Sequence, residues 1–114
     1  MILTALGKGT GAGPLYPEFV GRRALFVGSG TGPSSYTTGG DPVTLNLPNY
    51  YIDFLCGGVA TTDGDYWVVA VPSGAGTRQT WSVIWYTIGT ITQVAATTNL
   101  SAHTLQLAAF VGQF

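Results

Sequence analysis

Apolar and polar residues alternate with a period of two along much of the chain. Val43, Leu45 and Leu47 fall on one side of a run in which Thr44 and Asn46 fall on the other, as expected of a strand with one face buried. Tyr50 to Cys56 repeats the pattern, with Tyr50, Ile52 and Phe54 opposed to Tyr51, Asp53 and Leu55. Thr80 to Thr87 does so again, with Trp81, Val83 and Trp85 opposed to Ser82, Ile84 and Tyr86. Tyr66 to Val71 is aromatic, β-branched and apolar on both sides. That predicts a central strand, or one whose outer face meets a neighbouring subunit. Arg22 to Val27 and Thr90 to Ala95 predict shorter strands. Ala102 to Val111 predicts the last one, because Leu105 and Leu107 alternate with Thr104 and Gln106. A helix over 101–110 is the alternative for this segment, with Ala102, Leu105, Ala109 and Phe110 on one face.

Turn signals separate these runs. Gly28-Ser29-Gly30-Thr31-Gly32-Pro33, Thr37 to Pro42, Pro48-Asn49 and Ser73 to Gly76 read as turns or loops. Asp63-Gly64 is the strongest hairpin signal, and Gly57-Gly58 predicts a bend or bulge. About seven strands joined in this way predict an all-β protein, a small sandwich or barrel. Met1 to Leu6 predicts an edge strand or an arm that packs on a neighbour. Gly7 to Gly13, followed by Pro14 and Pro17, predicts an extended segment. The domain boundaries follow: a glycine- and proline-rich arm over 1–21 and one β domain over 22–114. A chain of 114 residues accommodates one core.

Composition changes this picture in one respect. Apolar residues make up 46% of the chain, but charged residues only 8%, with a net charge of −1. About 25% charged is usual for a soluble domain. So little charge, beside three Trp, six Tyr and five Phe, points to surface covered by other subunits. Lys8, Arg22, Arg23 and Arg78 are too few for a nucleic-acid groove. The first residues carry no basic segment followed by an apolar stretch, so no signal peptide is expected. No apolar run approaches the about eighteen residues of a membrane helix.

Candidate chemistry is sparse. Gly7-Lys8-Gly9-Thr10 lacks the full phosphate-loop spacing, and no helical pattern follows Gly28 to Gly32. Cys56 is the single cysteine, set in an apolar run, and reads as a small buried hydrophobe. His103 is the single histidine and reads as a strand- or loop-end residue, without an evident metal partner. The acids are Glu18, Asp41, Asp53, Asp63 and Asp65. Asp63 and Asp65 flank the hairpin glycine and Asp41 precedes Pro42, so all three read as turn residues. Trp67, Trp81, Trp85, Tyr50, Tyr51, Tyr66 and Tyr86 could line a carbohydrate site, but core and subunit packing is the commoner role at alternating positions. The expectation is no enzyme, no catalytic residue, no cofactor and no metal.

Ser35-Tyr36-Thr37-Thr38-Gly39-Gly40-Asp41-Pro42 resembles a turn found in small head proteins of tailed bacteriophages. Gln93 to Ser101, followed by the strand Thr104 to Gly112, resembles a second part of the same pattern. The resemblance spans about residues 28–112 and departs from the pattern at Gln93 and Asn99, where acidic residues are common. It implies a capsid decoration, or cement, protein with a jelly-roll-like β-sandwich and an extended N-terminal arm. The implied partners are the major capsid protein and further copies of the chain, with a trimer favoured and neither nucleic acid nor membrane involved. The implied place is the outer capsid surface of the virion, after synthesis in the host cytoplasm. The remaining alternatives are a carbohydrate- or ligand-binding sandwich and another virion part, such as a head-fibre base or tail protein.

Overall fold

The computed structural model describes residues 1–5, 18–20, 23–46, 50–73 and 80–113. The segments 6–17, 21–22, 47–49, 74–79 and 114 lie outside it. With them go Lys8, Arg22, Arg78, Leu47, the Gly7-to-Pro17 run and the Gly74-to-Gly76 turn. The fold is all-β. Its strands are β1 (Ile2–Ala5), β2 (Glu18–Val20), β3 (Arg23–Thr31), β4 (Asp41–Leu45), β5 (Tyr50–Leu55), β6 (Val59–Ala60), β7 (Tyr66–Ser73), β8 (Thr80–Thr87) and β9 (Thr104–Gln113).

All nine belong to one mixed sheet, in the order β5-β9-β3-β1-β4-β8-β7-β6, with β2 paired to β3. β1 runs parallel to β4, and the other pairings are antiparallel. The two outermost strands of this order, β5 and β6, are consecutive in the chain. The link between them bonds to both ends of the sheet: Cys56 N–H donates to Ala108 O and Gly58 N–H to Val68 O, each at 2.9 Å. A sheet whose ends are tied three residues apart must curl, and this one forms a half-barrel. Phe54 of β5 and Trp81 of β8 meet edge-to-face, with ring centroids 5.5 Å apart.

The inner face holds the core. Val43, Val68, Trp81, Val83, Trp85, Leu105, Leu107, Ala109 and Val111 are all buried, and Val43, Trp81, Val83, Trp85, Leu105 and Leu107 sit on the sides that alternation assigned. β9 is a strand rather than a helix, and its inner row fills the core at every second residue.

Five expectations differ from the structure. β1 is an interior strand, pairing Thr4 with Ser29 on one side and Ile2 with Thr44 on the other; Leu3 is fully buried. Gly28 to Thr31 is no turn but the continuation of β3. Glycine serves close approach there: a Cβ on Gly28 would stand 2.6 Å from the Phe26 ring, and one on Gly30 would stand 2.7 Å from the Met1 side chain. Besides the expected bend at Gly57-Gly58, where Gly58 takes φ 86° between β5 and β6, β5 carries a register irregularity between Ile52 and Phe54. It breaks the alternation, so Phe54 is exposed and Leu55 buried. Residues 90–95 form no strand; one bridge, Tyr86 to Gln93, stands in its place. The arm expected over 1–21 has its two ends, β1 and β2, paired in the sheet.

Candidate functional site

Three groups of polar or aromatic residues stand out on this scaffold. The first surrounds the Asp63-Gly64 turn that joins β6 to β7. Gly64 takes φ 76°, the left-handed geometry that suits glycine. Thr61 N–H donates to Tyr66 O at 2.9 Å. Asp63 Oδ1 accepts from Thr61 Oγ1 at 2.7 Å and from Asp65 N–H at 3.1 Å. Its other oxygen, Oδ2, lies 2.5 Å from His103 Nδ1. The His103 ring meets Tyr66 edge-to-face at 4.7 Å. Thr62 N–H donates to Thr104 O at 2.9 Å, and the two threonine hydroxyls lie 3.0 Å apart. Together these contacts seam the hairpin turn to the start of β9.

The Thr61 hydroxyl, then the Asp65 amide and then His103, hold the Asp63 carboxyl well below the usual carboxylate range, at about 2. Asp63, Asp65 and His103 each offer a ligand atom, and these atoms lie within 4.8 Å of one another. The donor chemistry could take a divalent cation. Both Asp63 oxygens, however, are already hydrogen-bonded within the turn and to His103, so a cation would have to replace that pair. The arrangement does the work of a structural seam.

The second group is buried. Tyr36 is 1% exposed. Its hydroxyl donates to Gln93 Oε1 at 2.9 Å and accepts from Trp85 N–H at 3.3 Å. Gly39 N–H donates to the same Gln93 oxygen at 2.8 Å. Burial pushes the Tyr36 phenol up from its ordinary value. Asp41, at the start of β4, is also buried, with Oδ1 3.0 Å from the Met1 amino nitrogen. Asp41 therefore holds β1 beside β4, besides ending the turn.

The third group is a shallow groove of about 740 Å³ on the outer face, lined by Gly58, Ala60, Trp67 and the turn from Ile88 to Thr92. Trp67 stacks on Tyr86 across the β7–β8 pair at 5.0 Å, and its Nε1–H donates to Thr90 O at 3.0 Å. Among the described residues, no charged side chain lines the groove.

Sequence-predicted candidates fall as follows. Asp63, Asp65 and His103 come together. Cys56 is a half-buried free thiol in the link after β5. Asp53 lies at the β5 irregularity, and Glu18 lies in β2. Of the aromatics, Trp81 and Trp85 are core residues, whereas Trp67 and Tyr86 lie on the outer face. The Asp63–His103 contact had no sequence signal, since the two residues are 40 positions apart and meet only because the sheet curls. Comparison with family models, curated proteins and solved structures gives no match.

Proposed function

We infer that the chain is a non-enzymatic structural subunit of a virus particle, a capsid decoration or cement protein that bridges and stabilises capsomers. The observation that carries the self-associating part is the outer face of β7 and β8. Its cross-strand pairs are Trp67 with Tyr86, Val69 with Ile84 and Val71 with Ser82, a ladder without one charge. Ile88 and Ile91 extend it, 45% and 89% exposed. The ladder residues are half-buried, and with the two exposed isoleucines beside them they form an apolar face of the kind that marks association surfaces. The virion part rests on the resemblance of Ser35 to Pro42 and Gln93 to Gly112 alone.

The proposal includes the finer architecture implied with it: a jelly-roll-like sandwich, an extended bridging arm within residues 1–21, a trimer, and a seat on the outer capsid surface against the major capsid protein. Strand addition by an arm to a neighbour's sheet edge is a known mode of bridging. Decoration proteins act mechanically, by burying apolar area at joints between capsomers, so no catalytic residue, cofactor, nucleic acid or membrane enters. Co-sedimentation with capsids tests this role. Saturable binding at a fixed ratio to capsomers supports it, and protein left wholly in the supernatant contradicts it.

A glycan-binding module is the second reading, favoured by the Trp67–Tyr86 pair beside an open groove. Such a site usually adds Asp or Asn groups to its aromatic platform, and the groove lining has neither. A glycan array without signal would remove this reading.

A further inference from the structure

We propose that Asp63 is a site of spontaneous backbone modification. When its turn opens, its side-chain carboxyl condenses with the Gly64 nitrogen and reopens as a β-linked aspartate; the bonds from Thr61 and His103 hold this reaction off in the folded chain.

The sequence supplies both reactants. Of the five acids, only Asp63 is followed by glycine. Glu18, Asp53 and Asp65 precede Phe19, Phe54 and Tyr66, whose side chains crowd the nitrogen, and Asp41 precedes Pro42, which has no N–H to lose. The fold leaves the pair open to water. The Asp63 side chain is 39% exposed, and a Cβ on Gly64 would meet nothing within 4 Å. No other reagent is needed. The Gly64 nitrogen attacks Asp63 Cγ, a C–N bond forms, and the carboxyl hydroxyl leaves with the amide proton as water. Water then adds back to the five-membered imide. Breaking the new bond restores aspartate. Breaking the original peptide bond leaves the chain running through the side-chain carbonyl, with its mass unchanged.

The folded turn opposes each requirement. The nucleophile is committed, because Gly64 N–H donates to Thr61 O at 3.0 Å. The electrophile is pinned at both oxygens: Oδ1 accepts from Thr61 Oγ1 and Asp65 N–H, and Oδ2 meets His103 Nδ1. The same bonds keep the carboxyl ionised, whereas only the protonated form has a hydroxyl that leaves. They lower the reactive fraction at neutral pH by at least about tenfold. Reaction therefore waits on local opening of the turn. The product has a main chain longer by one carbon, so its carboxylate no longer sits where Thr61, Asp65 and His103 meet it. The seam between this turn and β9 is then lost.

Peptide mapping by mass spectrometry with electron-transfer fragmentation separates β-linked from ordinary aspartate and tests this on the full chain, aged in mildly acidic buffer. The samples are folded wild type, wild type in urea, and the variants His103→Ala and Thr61→Val, with near-UV circular dichroism to check each fold. The β-linked form is expected at residue 63 in urea, at least about tenfold more slowly in folded wild type, and severalfold faster in either folded variant than in folded wild type. Its absence at residue 63 in urea would overturn the site. Folded wild type reacting as fast as the urea sample would overturn the protection, a comparison that stands even if a variant unfolds. Folded variants that both age at the wild-type rate would overturn the roles given to Thr61 and His103.

Discussion

The Tyr36 hydroxyl donates to the Gln93 side-chain oxygen at 2.9 Å, joining residues 57 positions apart at the edge of the core. The same phenol accepts from the Trp85 amide, and the same glutamine oxygen accepts from Gly39 N–H. One pair thereby fixes the 35–41 turn, the 93–98 loop and β8. Thr97 N–H donating to Tyr36 O at 2.8 Å, and Tyr36 N–H donating to Thr98 O at 3.0 Å, complete the clamp.

Replacing Tyr36 with Phe keeps the ring and removes only the two hydroxyl bonds, to Gln93 Oε1 and from the Trp85 amide. Leaving the buried Trp85 amide without a partner costs about 1–3 kcal/mol, to be read from urea unfolding. The raised phenol also sets a sign. The stability it supports is fully present below its ordinary value of 10.0 and is lost as pH rises through the higher folded value. Tyr36→Phe should therefore show a smaller alkaline loss of stability than wild type.

Gly39 and Gly40 enter β4 at φ 101° and 144°, a region that L side chains rarely adopt. Space separates the two. A Cβ at Gly39 would meet nothing within 4 Å, whereas one at Gly40 would stand 2.8 Å from Ser82 Cβ. Gly40→Val should lose more soluble yield and more thermal stability than Gly39→Val. Each should be worse than wild type by at least about 1 kcal/mol, from backbone strain. Equal stability of all three would refute the role given to this turn.

Asp63 predicts the acid side. Its carboxyl is held at about 2, below its ordinary 3.8, so the stability it contributes is present above 3.8 and is lost as pH falls through about 2. Asp63→Asn should flatten that loss in acid unfolding followed by Trp fluorescence. His103→Ala should raise the Asp63 value toward the ordinary one, measurable by carboxyl chemical-shift titration.

Gly32 approaches the chain before β9 closely. A Cβ there would stand 2.5 Å from Leu100 O, and Gly32 N–H donates to His103 O at 3.0 Å. Gly32→Ala should destabilise by about 1–3 kcal/mol, through overpacking, in thermal melts. An unchanged melting temperature would contradict this packing.

How much of this was legible in the sequence depends on how local each signal is. The inner rows of β8 and β9 were legible because Trp81, Val83 and Trp85, and Leu105 and Leu107, alternate without interruption. The Asp63-Gly64 turn was legible from its dipeptide. The interior place of β1 was not, since its partners Ser29 and Thr44 lie far along the chain and four residues carry little pattern. Gly28 and Gly30 misled because glycine serves both turns and close strand contact. Phe54 and Leu55 exchanged faces through a bulge that leaves no periodic trace. The Asp63–His103 seam and the Tyr36–Gln93 clamp depend on the curl of the whole sheet. The groove joins β6 and β7 to a turn that was expected to be a strand.

The central claim is that this weakly charged β chain associates through its outer apolar face. Its most direct test is the molar mass of purified wild type by light scattering across micromolar concentrations. The account predicts a discrete multiple of 11.9 kDa, falling toward one subunit when Ile84 or Ile91 is replaced by Lys. A stable mass of one subunit throughout, unchanged when capsids are added, would contradict it.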